Sequence, residues 1–501
     1  MLKNDMAVRS PAHAFMELWE IVAGLSGFAR TTYEDPGQNF KDSIDFCMQA
    51  DNASEAYDKV RGVIENAVKG RVRSGVNGIL IVAMQRIDWA FLKIHPRVQN
   101  LPPALATPTD LPNWLREQKS QRIVDGCYLR DEEVRLICRG PLQRLPRAEF
   151  SSNAEDMVDM FVALAVAPNY LERGRRRIDI DQVVIPVARS AGISSGGDPG
   201  KEKIAFVPIF EDAGDLHMSA EKIEKQDFVD FRMAPGINAA KILDTAIRSF
   251  AEPIDIVLAP ELVMSEKHCD EFASNLDKAP LPTIRMILAG SGNTEAISAD
   301  GIPWNEARVL NGRGHEIWRQ RKLWPASLSS LRATQYAIPH TGSSVLEKNA
   351  EGECLVIADV DGLGRCVILI CQDVEARPLA EDLIRQFQPD WVIVPILDPG
   401  IEPGRWVHQR TFALSNVSNA RYLVVSSTGL SKVTGASQPV ACGIAVGPIS
   451  ASADGEDAGR VFVEAIIPSG NAIRLSTITW RAPGWQLTQM GTGVPLPKHQ
   501  K

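Results

Sequence analysis

The 501-residue chain contains no run of about 18 apolar residues, so a membrane-spanning helix is not expected. Its first residues, MLKNDMAVRSPAHAF, have no apolar signal core, and a cytoplasmic location is expected. The eight cysteines, at 47, 127, 138, 269, 354, 366, 371 and 442, form no C-x-x-C pair and no Cys/His cluster with zinc spacing. Scattered thiols of this kind suit a reducing compartment better than a disulfide framework. An excess of basic residues is also missing. The formal net charge is −8, so no global field draws the chain to nucleic acid or anionic lipid. There is no internal repeat and no low-complexity tract.

What is present is ordinary globular composition, in a chain too long for a single core. Residues up to about 175 read as mostly helical. Ala12–Ala29, Asn52–Val68 and Gly78–Ile94 carry apolar residues at helical spacing, the second behind an Asn cap. Leu115–Val124, Asp131–Cys138 and Asp156–Leu164 read as shorter helices. The proline-rich stretch Leu101–Pro112 breaks the pattern. Two basic clusters, Lys69/Arg71/Arg73 and Arg173/Arg175/Arg176/Arg177, read as solvated faces, because no aromatic interleaving accompanies them. Ser190–Lys203, rich in Gly, Ser, Asp and Pro, reads as a linker. The expected organisation is a helical domain over 1–189, a linker at 190–203, an α/β domain over 204–490 and a tail at 491–501.

After the linker the character changes. Short apolar runs (204–209, 255–259, 283–289, 355–359, 367–370, 391–395, 422–426) alternate with amphipathic segments, which indicates a layered α/β domain with strands buried on both faces. Three of those runs end on groups with complementary chemistry. Glu261 follows DIVLAP, Lys322 ends HEIWRQRK, and Cys371 ends VILI. Strand ends of α/β sheets are where sites gather, so the three can converge although 61 and 49 positions separate them. A carboxylate can take a proton from a thiol, an ammonium can stabilise an oxyanion, and a thiolate attacks electrophilic carbon. Taken singly, each has a plainer role as a helix cap, a solvated lysine and a core thiol.

From about Lys203 to Pro483 these segments, in this order, resemble the nitrilase or carbon–nitrogen hydrolase superfamily. The resemblance rests on DIVLAPEL (255–262), RMILAGSG (285–292), NEARVLNGRGHEIWRQRK (305–322), GRCVILICQD (364–373), QPDWVIVP (388–395) and RTFALSNVSNARYLVVSSTG (410–429). It implies a four-layer αββα sandwich beside a mostly α-helical N-terminal domain. By the same resemblance Glu261 is the general base, Lys322 the oxyanion stabiliser and Cys371 the nucleophile. A backbone N–H near Gln372 joins Lys322 at the oxyanion, and Asp373 and Asn305 have structural roles. The implied reaction is hydrolysis of a small-molecule amide or nitrile through a thioester, with neither a metal nor an organic cofactor, in a homo-oligomer (a dimer or larger) built through this domain.

This chain also departs from the family pattern. The family's second glutamate, several residues after the lysine, has no counterpart in LWPASLSSLRATQ (323–335). After the nucleophile stand Glu375 and Arg377-Pro378, with the family's Arg shifted and its Pro-Glu pair absent, and Ile396-Leu397-Asp398 replaces a small residue and an aromatic. Cys354, Cys366 and Cys442 read as core, His268, His315 and His408 as scattered surface residues, and Trp304, Trp318, Trp324 and Trp406 as packing. The alternative from another class is a nitrilase-like assembly or effector subunit, with a protein or ribonucleoprotein partner on the helical domain. A bacterial antiphage reverse-transcriptase system is one such setting, and activity there would depend on the partner or be lost.

Overall fold

Strands that are apolar on both faces need cover on both sides, and the computed structural model supplies it with two large sheets. It describes residues 8–96, 111–140, 157–186, 202–250, 253–415, 420–437 and 440–448, with the backbone of strands between 460 and 495. The proline-rich stretch 101–112, the linker 190–203 and the tail 491–501 lie almost wholly outside the described residues.

One sheet has seven strands, in the spatial order Glu316–Arg321, Pro303–Leu310, Met286–Ile297, Ile256–Leu258, Lys203–Phe206, Ser476–Arg481 and Gly484–Met490. Its three central strands run parallel. Alternation along them is strict. Ile204, Phe206, Ile256, Leu258, Met286 and Leu288 face one core, while Ala205, Val257, Ala259, Ile287 and Ala289 face another. Helices Ala239–Arg248 and Glu266–Lys278 cover the second face with Leu243, Ile247, Phe272 and Leu276.

The first core is shared with the eight-stranded sheet, ordered Arg460–Ile466, Ala441–Pro448, Arg421–Ser426, Trp391–Ile396, Gly364–Ile368, Cys354–Val360, Arg176–Ile185 and Tyr170–Arg173. Helices Leu379–Phe387 and Trp406–Ser415 pack Leu383, Phe387, Val407 and Leu414 into the same cluster. The chain is therefore a mixed α/β protein, with strands from distant parts of the sequence held side by side.

The N-terminal region is less helical than its sequence predicts. Helices Pro11–Ala23, Gln38–Cys47, Ala53–Val68, Arg73–Leu92 and Asn113–Asp125 form a third core, but strands follow them. Where a helix is expected at Asp131–Cys138, the chain forms the strand Val134–Cys138. Ile137 points into the shared sheet core while Leu136 and Cys138 point into the helical core, so two-faced burial selects the period of two. The expected helix at Asp156–Leu164 is a short 3-10 turn, Met157–Met160, leading to strand Leu164–Pro168. The buried carboxylate of Asp88 accepts the N–H groups of Val162, Ala163 and Leu164 at 2.9, 2.9 and 2.7 Å and removes them from any helical ladder. The third difference is larger. Strand Arg176–Ile185, expected within the helical region, pairs in parallel with Cys354–Val360 inside the eight-stranded sheet, so sequence before the linker already builds that sheet.

A buried charge cluster ties the two regions together. Asp359 receives Arg365 Nε at 2.6 Å, Arg122 Nη2 at 3.2 Å and the Cys138 thiol at 3.4 Å. Burial opposes its ionisation, but the two guanidiniums prevail and hold the carboxyl down to about 2.

Candidate active site

Three strand ends meet at one point. Cys371 lies just past strand Gly364–Ile368 and opens the 3-10 turn Cys371–Glu375. Its φ of +52° puts a side-chain-bearing residue in the left-handed region, a strained way of displaying a sulfur that the surrounding packing must enforce. Glu261 follows strand Ile256–Leu258. Beside it Gly290, at φ +97°, lies so near Pro260 that a Cβ would sit 2.7 Å from the Pro260 carbonyl oxygen; glycine there lets the neighbouring strand close on the Glu261 backbone. Lys322 follows strand Glu316–Arg321. All three side chains are enclosed, with exposures of 7 % for Cys371 and 1 % for both Glu261 and Lys322.

Lys322 Nζ donates to Glu261 Oε1 at 2.7 Å, and the Cys371 thiol lies within electrostatic reach of the same glutamate. The other Glu261 oxygen accepts the Leu397 N–H at 3.0 Å, which fixes the carboxylate plane. Lys322 Nζ also donates to Glu347, a residue with no local signal in the sequence. Glu347 ends strand Ser344–Glu347, 25 residues beyond the lysine, and that strand pairs antiparallel with Ser327–Ser329 and parallel with Gln226–Met233. The stretch 323–335 is thus acid-free, yet a second carboxylate stands at the lysine, delivered from another strand. Asn305 Nδ2 bridges the two carboxylates, at 3.0 Å from Glu261 Oε1 and 3.2 Å from Glu347 Oε1, and its carbonyl accepts the Lys322 N–H at 2.8 Å.

Two carboxylates around one ammonium leave the site short of positive charge. Burial, and then the negative charge of Glu261, push the Cys371 thiol well above its ordinary value; Lys322 opposes this without overcoming it. Burial also raises Glu261, against the pull of Lys322. For Lys322 burial favours the neutral amine, but Glu261 and Glu347 win and keep it firmly an ammonium. The resting site is a neutral thiol beside a strengthened base, rather than a preformed thiolate stabilised by lysine.

The nucleophile turn is anchored from below. Asp373 accepts the N–H groups of Leu323 at 3.0 Å, Trp324 at 3.2 Å and Ile370 at 3.3 Å, so it ties the segment after Lys322 to the turn after Cys371. Burial pushes its carboxyl up to about 7 despite those donors. Gln372 accepts the Ser327 N–H through Oε1 at 3.3 Å. Arg377, the shifted arginine, is largely exposed beside Glu381. The buried guanidinium at the turn is instead that of Arg410, which donates to the Val374 carbonyl at 2.8 Å and to Glu381 at 2.7 Å. Asp398 accepts Trp406 Nε1 at 3.0 Å and Arg332 Nη1 at 3.3 Å, adding a further charged pair within electrostatic reach of the thiol.

The other singled-out residues lie apart. Cys366 and Cys442 are core, and Cys354 is half-buried. Among the described residues no group of three His, Cys, Asp or Glu is placed to hold a metal ion, and no helix is long and apolar enough to cross a membrane. Lys69 bonds Asn66 and Arg71 lies near Glu34, both at the surface. The second basic cluster behaves differently. Arg173 and Arg176 lie over the Trp324 ring, at 4.3 and 5.6 Å from its centroid.

No family model and no curated protein matches the chain. Among solved structures, it is similar to the glutamine-dependent NAD+ synthetase of Acinetobacter baumannii at 13% identity, covering 59% of this chain and 48% of that one, with a TM-score of 0.36. The chain thus spans about half the length of the synthetase. It is similar to Saccharomyces cerevisiae Nit3, a member of branch 10 of the nitrilase superfamily, at 13% identity, 56% and 90% coverage and a TM-score of 0.33. An amidase from Nesterenkonia sp. matches at 16% identity, 55% and 94% coverage and a TM-score of 0.32. The structural neighbours are nitrilase-superfamily proteins. At these identities and scores, the chemistry has to be carried by the residues themselves.

Proposed function

We propose that the chain is a carbon–nitrogen hydrolase of the amidase type, acting on a small non-peptide amide. The observation that supports this best is the single enclosed cluster in which the Lys322 ammonium bonds Glu261 and the Cys371 thiol faces the same carboxylate. As Sγ attacks the carbonyl carbon, Glu261 takes the thiol proton. The carbonyl oxygen becomes an oxyanion, held by Lys322 Nζ and by the Gln372 backbone N–H at the start of the turn. The C–N bond then breaks, Glu261 returns its proton to the leaving nitrogen, and a thioester remains on Cys371. Water, deprotonated by Glu261, attacks the thioester carbon; the C–S bond breaks, the acid leaves and the thiol recovers its proton. Glu347 and Asn305 keep Lys322 charged and Glu261 in plane through both halves. The enclosure of all three groups suits a substrate with a small acyl part.

The test is to incubate the full chain with short aliphatic amides, follow ammonia release and look by mass spectrometry for the acyl adduct on Cys371. A Glu261→Gln chain, which lacks the base for both half-reactions, is expected neither to release ammonia nor to alkylate at the wild-type rate. Absence of any adduct with every amide, together with a Cys371 alkylation rate indifferent to Glu261→Gln, would sink the hydrolase reading.

A further inference from the structure

The four arginines at 173, 175, 176 and 177 cluster at the tip of a hairpin, whose turn Gly174-Arg175 joins strands Tyr170–Arg173 and Arg176–Ile185. Arg173 and Arg176 are direct cross-strand partners. Like charges in that position weaken a hairpin, so the pair gives the hairpin itself nothing. What accommodates it lies across the sheet. The parallel register that sets Asp179 against Cys354 brings Arg176 beside Glu351 and Gly352. There Arg176 pairs with Glu351, and its two terminal nitrogens donate to the Gly352 carbonyl at 2.6 Å and the Leu323 carbonyl at 3.2 Å. Gly352 in turn donates its N–H to the Lys322 carbonyl at 2.9 Å, and a Cβ on Gly352 would sit 2.8 Å from that same oxygen. One guanidinium thus holds the residue after Lys322 and the glycine that bonds the Lys322 carbonyl, while the neighbouring indole of Trp324 lies under Arg173 and Arg176.

We propose that Arg176 is a positioning residue for Lys322, so that the sequence preceding the linker is a working part of the active site rather than a detachable lid or docking module. This rests on the reading that Lys322 and Cys371 carry the chemistry. Arg176 touches no reacting atom. It acts by fixing the Leu323 carbonyl and the Gly352 segment that holds the Lys322 carbonyl, and a shift of an ångström in the ammonium it supports is enough to cost a large factor in rate.

The experiment compares full-length wild type, Arg176→Ala, Arg176→Lys and, as a charge-matched control on the same hairpin, Arg177→Ala. Peptide-level hydrogen exchange over 322–327 reports positioning directly; iodoacetamide alkylation of Cys371 across pH reports its consequence. Arg176→Ala is expected to speed exchange over 322–327, to shift the alkylation profile to higher pH, and to lower kcat about 10–100-fold with KM little changed. Millimolar guanidinium is expected to restore part of that loss. Arg176→Lys, which cannot bridge two carbonyls, should fall between wild type and Arg176→Ala, and Arg177→Ala should match wild type. Should Arg176→Ala fail to fold, Arg176→Lys decides: unchanged exchange and an unchanged alkylation profile overturn the proposal. Faster exchange with an unmoved thiol profile overturns it as well. If wild-type Cys371 ignores Glu261→Gln, the hydrolase reading is what has failed, and exchange over 322–327 still reports whether Arg176 holds the segment.

Discussion

Two of the buried cysteines, Cys138 and Cys371, each lie near a carboxylate and a cation, and under the proposed function only Cys371 does chemistry. Cys138 bonds Asp359 among two arginines, in the middle of the seam between the regions. Cys371 lies within electrostatic reach of Glu261, next to one lysine and a second glutamate. Burial raises both thiols. The difference lies in the base. Two guanidiniums hold Asp359 at about 2, which makes it a poor proton acceptor, whereas Glu261 is raised and can take a proton. Display differs as well. Cys138 closes the regular strand Val134–Cys138, while Cys371 sits at positive φ at the head of a turn. An excess of positive charge makes a fixed structural cluster; an excess of negative charge leaves a proton free to move.

That contrast can be attacked at either cluster. The largest effect is expected from Cys371→Ala, which should reduce amide turnover by on the order of 10³-fold or more. Cys138→Ala should leave turnover within about twofold and cost about 1–2 kcal/mol of stability, both read from ammonia release and urea titration. Comparable losses from the two variants would erase the distinction.

Next comes Asp359→Asn, which strands Arg365 and Arg122 without a counter-charge and should cost about 3–5 kcal/mol. The same residue has a pH signature. Its folded value lies below the ordinary carboxylate value of 3.8, so its contribution of about 2 kcal/mol is fully present above that value and fades as pH falls towards about 2. The variant's acid-unfolding curve should lack that component.

A subtler effect sharpens the other side. Removing the negative charge of Glu347 by Glu347→Gln should move the Cys371 alkylation profile to lower pH, while Lys322→Met should move it higher. A profile that rises with Glu347→Gln would mean that Lys322 is displaced when its second partner goes.

Much of this architecture is legible in the chain because strands buried on both faces write themselves as unbroken apolar runs. Ile256–Leu258, Trp391–Ile396 and Arg421–Ser426 fall where the sequence predicts them, and the predicted positions of Glu261, Lys322 and Cys371 prove to be mutually adjacent strand ends. What was not legible is whatever depends on partners far along the chain. Glu347 carries no local mark; it reaches Lys322 only because Ser344–Glu347 pairs with Ser327–Ser329. Val134–Cys138 is too short for its period to show, and two-sided burial decides it. Arg176 looks like any basic loop residue until the register with Cys354–Val360 places it beside Leu323 and Gly352.

The parallel pairing of Arg176–Ile185 with Cys354–Val360 also has a bearing on how the protein is made. During synthesis the earlier strand leaves the ribosome with only its hairpin partner Tyr170–Arg173, and its second neighbour is still about 170 residues away. At ~5–20 residues per second that wait is roughly 10–30 s, during which one edge is unpaired and Ile178 and Ile180 lack the part of their core that later strands supply. The N-terminal half therefore cannot finish as an independent unit before the rest arrives. Expression of residues 1–189 alone should yield an aggregation-prone fragment, and chaperone holding is expected to matter most before residue 360 has been made.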